Sequence, residues 1–198
     1  GHPRIAVLPG SRQQVIARML PVFVEAGAIL RQRHPEASFI VPAPSKEIAA
    51  AVERLLAGLK TGRPRWEVVV DQARQVMRTA DAAMVSSGTA TLETALMGCP
   101  MIIAYKMAPL SFFFVKRAVS VEHIGMVNIV AGRRLCPEFV QDAATPAALA
   151  DAVGRLVSNE AERAKMVAGF KEVAATLGAG GAHERAAAVV LEELAGGK

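Results

Sequence analysis

The chain is poor in the residues that mark several functional classes. It has two cysteines in 198 residues, Cys99 and Cys136, with no Cys-x-x-Cys spacing. That excludes a disulfide framework and points to reduced core or loop thiols in a cytoplasmic protein. The four histidines (His2, His34, His123 and His183) show no metal-ligand spacing, so no metal or other cofactor is expected. Aromatics are also scarce: one Trp, one Tyr and seven Phe. A net charge of +5 favours anionic partners. Nucleic acid is nevertheless disfavoured, because its recognition needs basic residues interleaved with stacking aromatics. Anionic membrane surfaces and phosphorylated small molecules remain. No apolar run approaches the roughly 20 residues of a bilayer span, and no secretory leader is visible.

What the chain does have is alternation. Hydrophobic residues make up 52% and charged residues 21%, a composition that folds. Short apolar runs at Arg4–Leu8, Ser38–Val41, Glu67–Val70, Ala82–Val85 and Met101–Tyr105 read as strands. Amphipathic stretches lie between them, which predicts an α/β fold: a Rossmann-like parallel sheet with helices on both faces. In the first helix Ile16, Met19, Leu20, Phe23, Val24, Gly27 and Leu30 share one face, and His34-Pro35 ends it. A weaker helix spans Lys46 to Leu56, and Lys60 to Arg65 is a basic turn. Thr145-Pro146 reads as a cap followed by proline in the first turn. Ser158-Asn159 opens another helix, and Gly178 to His183 precedes a last, alanine-rich one. No strand is expected beyond about residue 140. The first residue is Gly and a strand follows almost at once, so the chain reads as a piece of a longer protein lacking its N-terminal part.

Four stretches carry candidate chemistry. In Val7–Arg12 a strand runs into Pro9-Gly10-Ser11-Arg12. Gly10 lets a ligand approach the main chain closely. Ser11 is placed to cap the following helix, whose amino-terminal amides attract phosphate. Arg12 adds a guanidinium able to grip two phosphate oxygens. The same residues also suit an ordinary turn with a solvated arginine, and they form neither a P-loop nor a Gly-x-Gly-x-x-Gly fingerprint.

The second stretch, Ser86 to Pro100, opens a helix with Ser87-Gly88-Thr89 and closes it at Gly98. Ser87, Gly88 and Thr89 offer amides and hydroxyls to a diphosphate. Glu93, one turn on and on the same face as Thr89, can accept from two ribose hydroxyls or simply favour the positive end of the helix. Two such helix starts at the carboxyl ends of parallel strands define a ligand crevice. The third stretch, His123 to Gln141, holds Asn128, Gly132, Arg133, Glu138 and Gln141 in an apolar loop whose spacing assigns no roles. In the fourth, Met107 to Val119, Leu110, Phe113, Phe114 and Arg117 fall at helical spacing. They suit a core helix, or one lying on an anionic bilayer beside Lys116 and Arg117.

Leu8-Pro9-Gly10-Ser11-Arg12, then Ser87-Gly88-Thr89-Ala90-Thr91-Leu92-Glu93, then Cys99-Pro100-Met101 through Tyr105-Lys106-Met107, then Asn128-Ile129-Val130-Ala131-Gly132-Arg133 with Pro137-Glu138 and Gln141, follow one another in an order that resembles the lipid-A-disaccharide synthases. The resemblance covers nearly the whole chain and the C-terminal half of that enzyme. It implies a GT-B glycosyltransferase with two Rossmann-like halves. In the implied reaction the 6-hydroxyl of 2,3-diacylglucosamine 1-phosphate attacks the anomeric carbon of UDP-2,3-diacylglucosamine. UDP leaves and a β-1,6 disaccharide 1-phosphate forms without a metal.

By the same resemblance Arg12 stabilises the leaving diphosphate, with Gly10, Ser11, Ser87, Gly88 and Thr89 around it. Glu93 would hold the ribose, Asn128 would sit near the diphosphate or sugar, and Glu138 and Gln141 would be nearby. The general base would belong to the absent half. Residues 1–157 would form the UDP-binding domain. Residues 158–198 would be a helical extension packing on the missing half or on a partner subunit in a homodimer. Acylated substrates and basic charge imply peripheral association with the anionic cytoplasmic face of the inner membrane.

The chain departs from the family pattern at Val15, where a Glu is usual, at Val127 in place of Pro, and at Arg134 in place of Glu. Two other readings stay in view. UDP-sugar 2-epimerases share a turn like Ser87 to Glu93, but continue into an acidic segment that is missing here. A non-catalytic UDP-sugar-binding module would begin naturally near Gly1.

Overall fold

The computed structural model describes residues 2–59, 65–108, 122–178 and 181–196. Six strands form one sheet: β1 (Arg4–Leu8), β2 (Ser38–Ala43), β3 (Arg65–Val70), β4 (Ala82–Ser86), β5 (Met101–Tyr105) and β6 (Glu138–Val140). Their order is β3-β2-β1-β4-β5-β6, and every neighbouring pair is parallel. Strands sandwiched between helical layers read as near-continuous apolar runs; Ile5, Ala6, Val7, Ala82, Ala83, Met84 and Val85 are buried accordingly.

The helices are α1 (Gln13–Arg33), α2 (Lys46–Gly58), α3 (Ala73–Thr79), α4 (Thr89–Leu96), α5 (Met126–Ala131), α6 (Pro146–Ser158), α7 (Glu160–Thr176) and α8 (Ala182–Gly196). On one side α1 packs against α2 and α6; on the other, α4 packs against α3, α5 and α7. Contrary to the sequence expectation, α1 is long and apolar enough by length and composition to cross a bilayer. Its apolar face is instead covered by this domain, with Met19, Leu20 and Phe23 fully buried.

The five expected strands and the expected stops are present. His34 terminates α1, α2 ends at Gly58, and the expected Thr145 cap of α6 accepts from the Ala148 amide at 3.2 Å; the Ser45 cap of α2 was not foreseen. Gly98, just beyond α4, takes a φ of 74°. The Ser11 cap is a correction. Arg12 occupies the N-cap of α1, and no side chain caps that helix. Three short elements were not foreseen. α3 and α5 span two turns or less, too few to show periodicity, and β6 is a three-residue, half-buried edge strand without alternation.

Of the helices beyond residue 157, α7 joins this core through Met166, Phe170 and Val173. Its buried face packs on this domain. α8 instead leaves Val189, Val190, Leu191 and Leu194 exposed. Residues 109–121, which hold most of the aromatic stretch from Met107 to Val119, lie outside the described residues, as does the basic turn at 60–64.

Candidate functional site

The chain runs outward from β1 toward β3 on one side, and from β4 toward β6 on the other. The loops after β1 and β4 therefore part at the carboxyl ends of two adjacent strands, which leaves a crevice. Here the crevice is a cleft of about 610 Å³. One wall is Gly10, Ser11 and Arg12; the facing wall is Ser87, Gly88, Thr89 and Glu93. Thus seven of the expected residues share one cavity.

The geometry of both walls leaves backbone amides free. Gly10 has a φ of 111°, and a Cβ there would stand 3.0 Å from Val15 Cγ1. Gly88 has a φ of 153° and is the N-cap of α4, where it has no side chain to offer. Neither α1 nor α4 has a side-chain cap, nor do the short α3 and α5, while α2, α6 and α7 are capped by Ser45, Thr145 and Asn159. A helix start without a cap leaves amide donors unsatisfied at its positive end. Two such starts open onto this one cleft, beside a guanidinium that makes no hydrogen bond or ion pair among the described residues. The arrangement suits a doubly or triply charged anion.

The remaining candidates stand elsewhere. Asn128 is fully buried. Its Nδ2 donates to the Cys136 carbonyl and to Glu138 Oε1, each at 2.8 Å. Its Oδ1 accepts from the amides of Leu135 at 2.9 Å and Cys136 at 2.8 Å. Glu138 also accepts from the amides of Ile124 at 3.0 Å and Gly125 at 2.8 Å. Gln141 holds the Met107 backbone from both sides, with its Oε1 2.9 Å from the Met107 amide. None of the three lines the cleft. They fix the segment around α5, whose Met126 forms part of the cleft wall. Ser87 links the two regions, its Oγ donating to the Ile124 carbonyl at 2.7 Å.

Among the polar lining residues, sequence reasoning missed three: Asp71, Ser86 and Tyr105. Asp71 follows β3 with a φ of 57°, a left-handed conformation that non-glycine residues adopt at a cost. The ends of β3, β4 and β5 were visible in the sequence, so the residues closing each strand were the available signal. Among the described residues no group of three or more His, Cys, Asp or Glu could hold a metal ion. The two thiols are buried away from this chemistry. Burial, reinforced by Asp81, pushes Cys99 up to about 12. Burial and then Glu138 push Cys136 up as well.

This fold is that of one half of the GT-B glycosyltransferases. Over 98% of the chain and 42% of its counterpart, it superimposes on the calicheamicin glycosyltransferase CalG4 with a TM-score of 0.54 at 21% identity. Over 100% and 47%, it superimposes on a Listeria monocytogenes protein assigned as a UDP-N-acetylglucosamine 2-epimerase, with a TM-score of 0.56 at 15% identity. At these identities the likeness speaks to fold alone. The chain belongs to the lipid-A-disaccharide synthetase family, whose model matches residues 1–191. It is 42% identical to the lipid-A-disaccharide synthase of Geobacter sulfurreducens over 98% of this chain and 50% of that protein. It is 41% identical to that of Anaeromyxobacter dehalogenans strain 2CP-C over 94% and 48%. The chain thus spans about half the length of the curated relatives it matches.

Proposed function

We propose that this chain is the donor-binding half of a lipid-A-disaccharide synthase, and that its cleft takes the UDP part of UDP-2,3-diacylglucosamine. One observation carries the reading: two helix starts without side-chain caps and Arg12, unpaired among the described residues, converge on a single cavity where the strand order reverses. As the bond from the anomeric carbon to the diphosphate oxygen breaks, negative charge grows on that oxygen. Preorganised amides and a guanidinium stabilise such charge more in the transition state than in the ground state. Glu93 lines the same cavity and accepts from the ribose hydroxyls. The acceptor is 2,3-diacylglucosamine 1-phosphate, whose 6-hydroxyl attacks the anomeric carbon. The base that removes its proton comes from the rest of the enzyme.

The reading assigns the leaving diphosphate to Arg12 and main-chain donors rather than to a divalent cation. It also places the enzyme at the cytoplasmic face of the inner membrane, where an acylated donor and acceptor reside, held there by basic charge. The apolar residues of α8 then meet the rest of the enzyme or a second subunit. The test is UDP release from this donor and acceptor by the protein extended to its relatives' length. Arg12→Ala should lower kcat/KM by about 100-fold, and a chelator should leave the rate unchanged. Full activity in the variant would reject the assignment.

A further inference from the structure

We propose that Ser86 is a ligand-binding residue whose hydroxyl donates to an oxygen of the diphosphate gripped between the β1 and β4 loops. The proposal rests on the reading of this cleft as a diphosphate site. Ser86 is the last residue of β4 and is 3% exposed. Its Oγ has no hydrogen-bond partner among the described residues, yet Ser86 lies on the cleft wall. Buried hydroxyls nearly always have partners, and an unmatched one costs stability. The two buried threonines of α4 obey that rule. Thr91 Oγ1 donates to the Gly88 carbonyl at 2.8 Å and Thr94 Oγ1 to the Ala90 carbonyl at 2.6 Å. Ser87, next in the chain, gives its proton to the Ile124 carbonyl. Ser86 alone among these four keeps its donor unused. Alanine would fit the purely structural need, since Ala82, Ala83 and Ala104 fill comparable buried strand positions. The hydroxyl therefore serves something that enters the cleft.

Register identifies the ligand atom. Leu8 of β1 pairs with Val85, and Ser86 pairs with Ala104 of β5. Ser86 thus lies one step beyond the last β1–β4 pair, where Pro9-Gly10-Ser11-Arg12 leaves the sheet on one side and Ser87-Gly88-Thr89 on the other. A ligand group held by both loops sits over Ser86. On this reading that group is the diphosphate, not the nucleoside.

Calorimetric titration and thermal melting of wild type and Ser86→Ala decide the matter, with UDP, inorganic diphosphate and uridine as probes. A ligand role predicts that the variant melts no lower than wild type without ligand, since it loses an unmatched hydroxyl. It also predicts about tenfold weaker binding of UDP and inorganic diphosphate, and unchanged binding of uridine. Equal UDP affinity in the two proteins would overturn the role of Ser86 while leaving the diphosphate site standing. Melting several degrees lower would assign the hydroxyl to structure. Wild type that fails to bind UDP would reject the cleft reading, and this inference with it.

Discussion

Truncating Asn128 to alanine should destabilise the domain by about 3 kcal/mol. The change strands the amides of Leu135 and Cys136 and the carbonyl of Cys136, and removes one donor from Glu138. Each stranded buried group costs ~1–3 kcal/mol. Leu135 is only half-buried, so its amide can recover water, and the low end applies to the three groups. In a domain of this size the loss corresponds to a melting temperature lower by roughly 6–12 °C.

Asn128→Asp sharpens the test. It keeps the acceptor for the two amides but sets a second carboxylate against Glu138 Oε1, at a position now 2.8 Å away. Two such carboxylates raise each other's proton affinity in the folded state. A raised folded pKa contributes stability at low pH and loses it as pH rises through the folded value. The deficit of Asn128→Asp relative to Asn128→Ala should therefore grow from pH 5 to pH 8. Urea unfolding followed by circular dichroism reads both effects. If Asn128→Ala unfolds within ~0.5 kcal/mol of wild type but loses UDP binding, Asn128 is a ligand residue and the hydrogen-bond reasoning fails.

Gly10→Ala should both destabilise and weaken ligand binding. Its φ of 111° is unfavourable for alanine, and the new methyl would press on Val15 Cγ1 at 3.0 Å. A loss of ~1–3 kcal/mol in thermal or urea unfolding is expected, and an unchanged midpoint would contradict the turn geometry. Cys99 and Cys136 should not react with Ellman's reagent near neutral pH while the protein is folded, because burial holds both as thiols. Two thiols should appear on denaturation, and rapid labelling of native protein would show that either site opens.

Much of this architecture is readable from residue order alone. The runs at β1 and β5 are apolar along most of their length; Pro3 and Pro9 flank the first, and the second lies between Pro100 and Lys106, so their limits agree with the structure to the residue. β6 escapes notice because an edge strand of three half-buried residues has neither alternation nor an apolar run. The cleft walls are legible for a related reason. A strand meeting glycine, a small polar residue and then a helix pattern marks a place where the backbone itself is the binding group. Polar side chains inside apolar segments are harder. Asn128, Glu138 and Gln141 look alike whether they face a ligand or the main chain. Their partners lie up to 34 residues away, as with Gln141 and Met107, and sequence spacing does not reveal such pairs. Ser86 is the reverse case: an ordinary serine in sequence, distinguished only by burial without a partner among the described residues.

Calorimetric titration of this chain with UDP, without divalent metal and beside the Arg12→Ala variant, addresses the central claim most directly. The account predicts binding in the micromolar to millimolar range that the variant weakens by roughly 10- to 100-fold, the range of a charge-assisted hydrogen-bond pair. Equal affinities in two well-folded proteins would show that Arg12 is a solvated turn residue. The leaving diphosphate would then have to be stabilised by something other than this arginine.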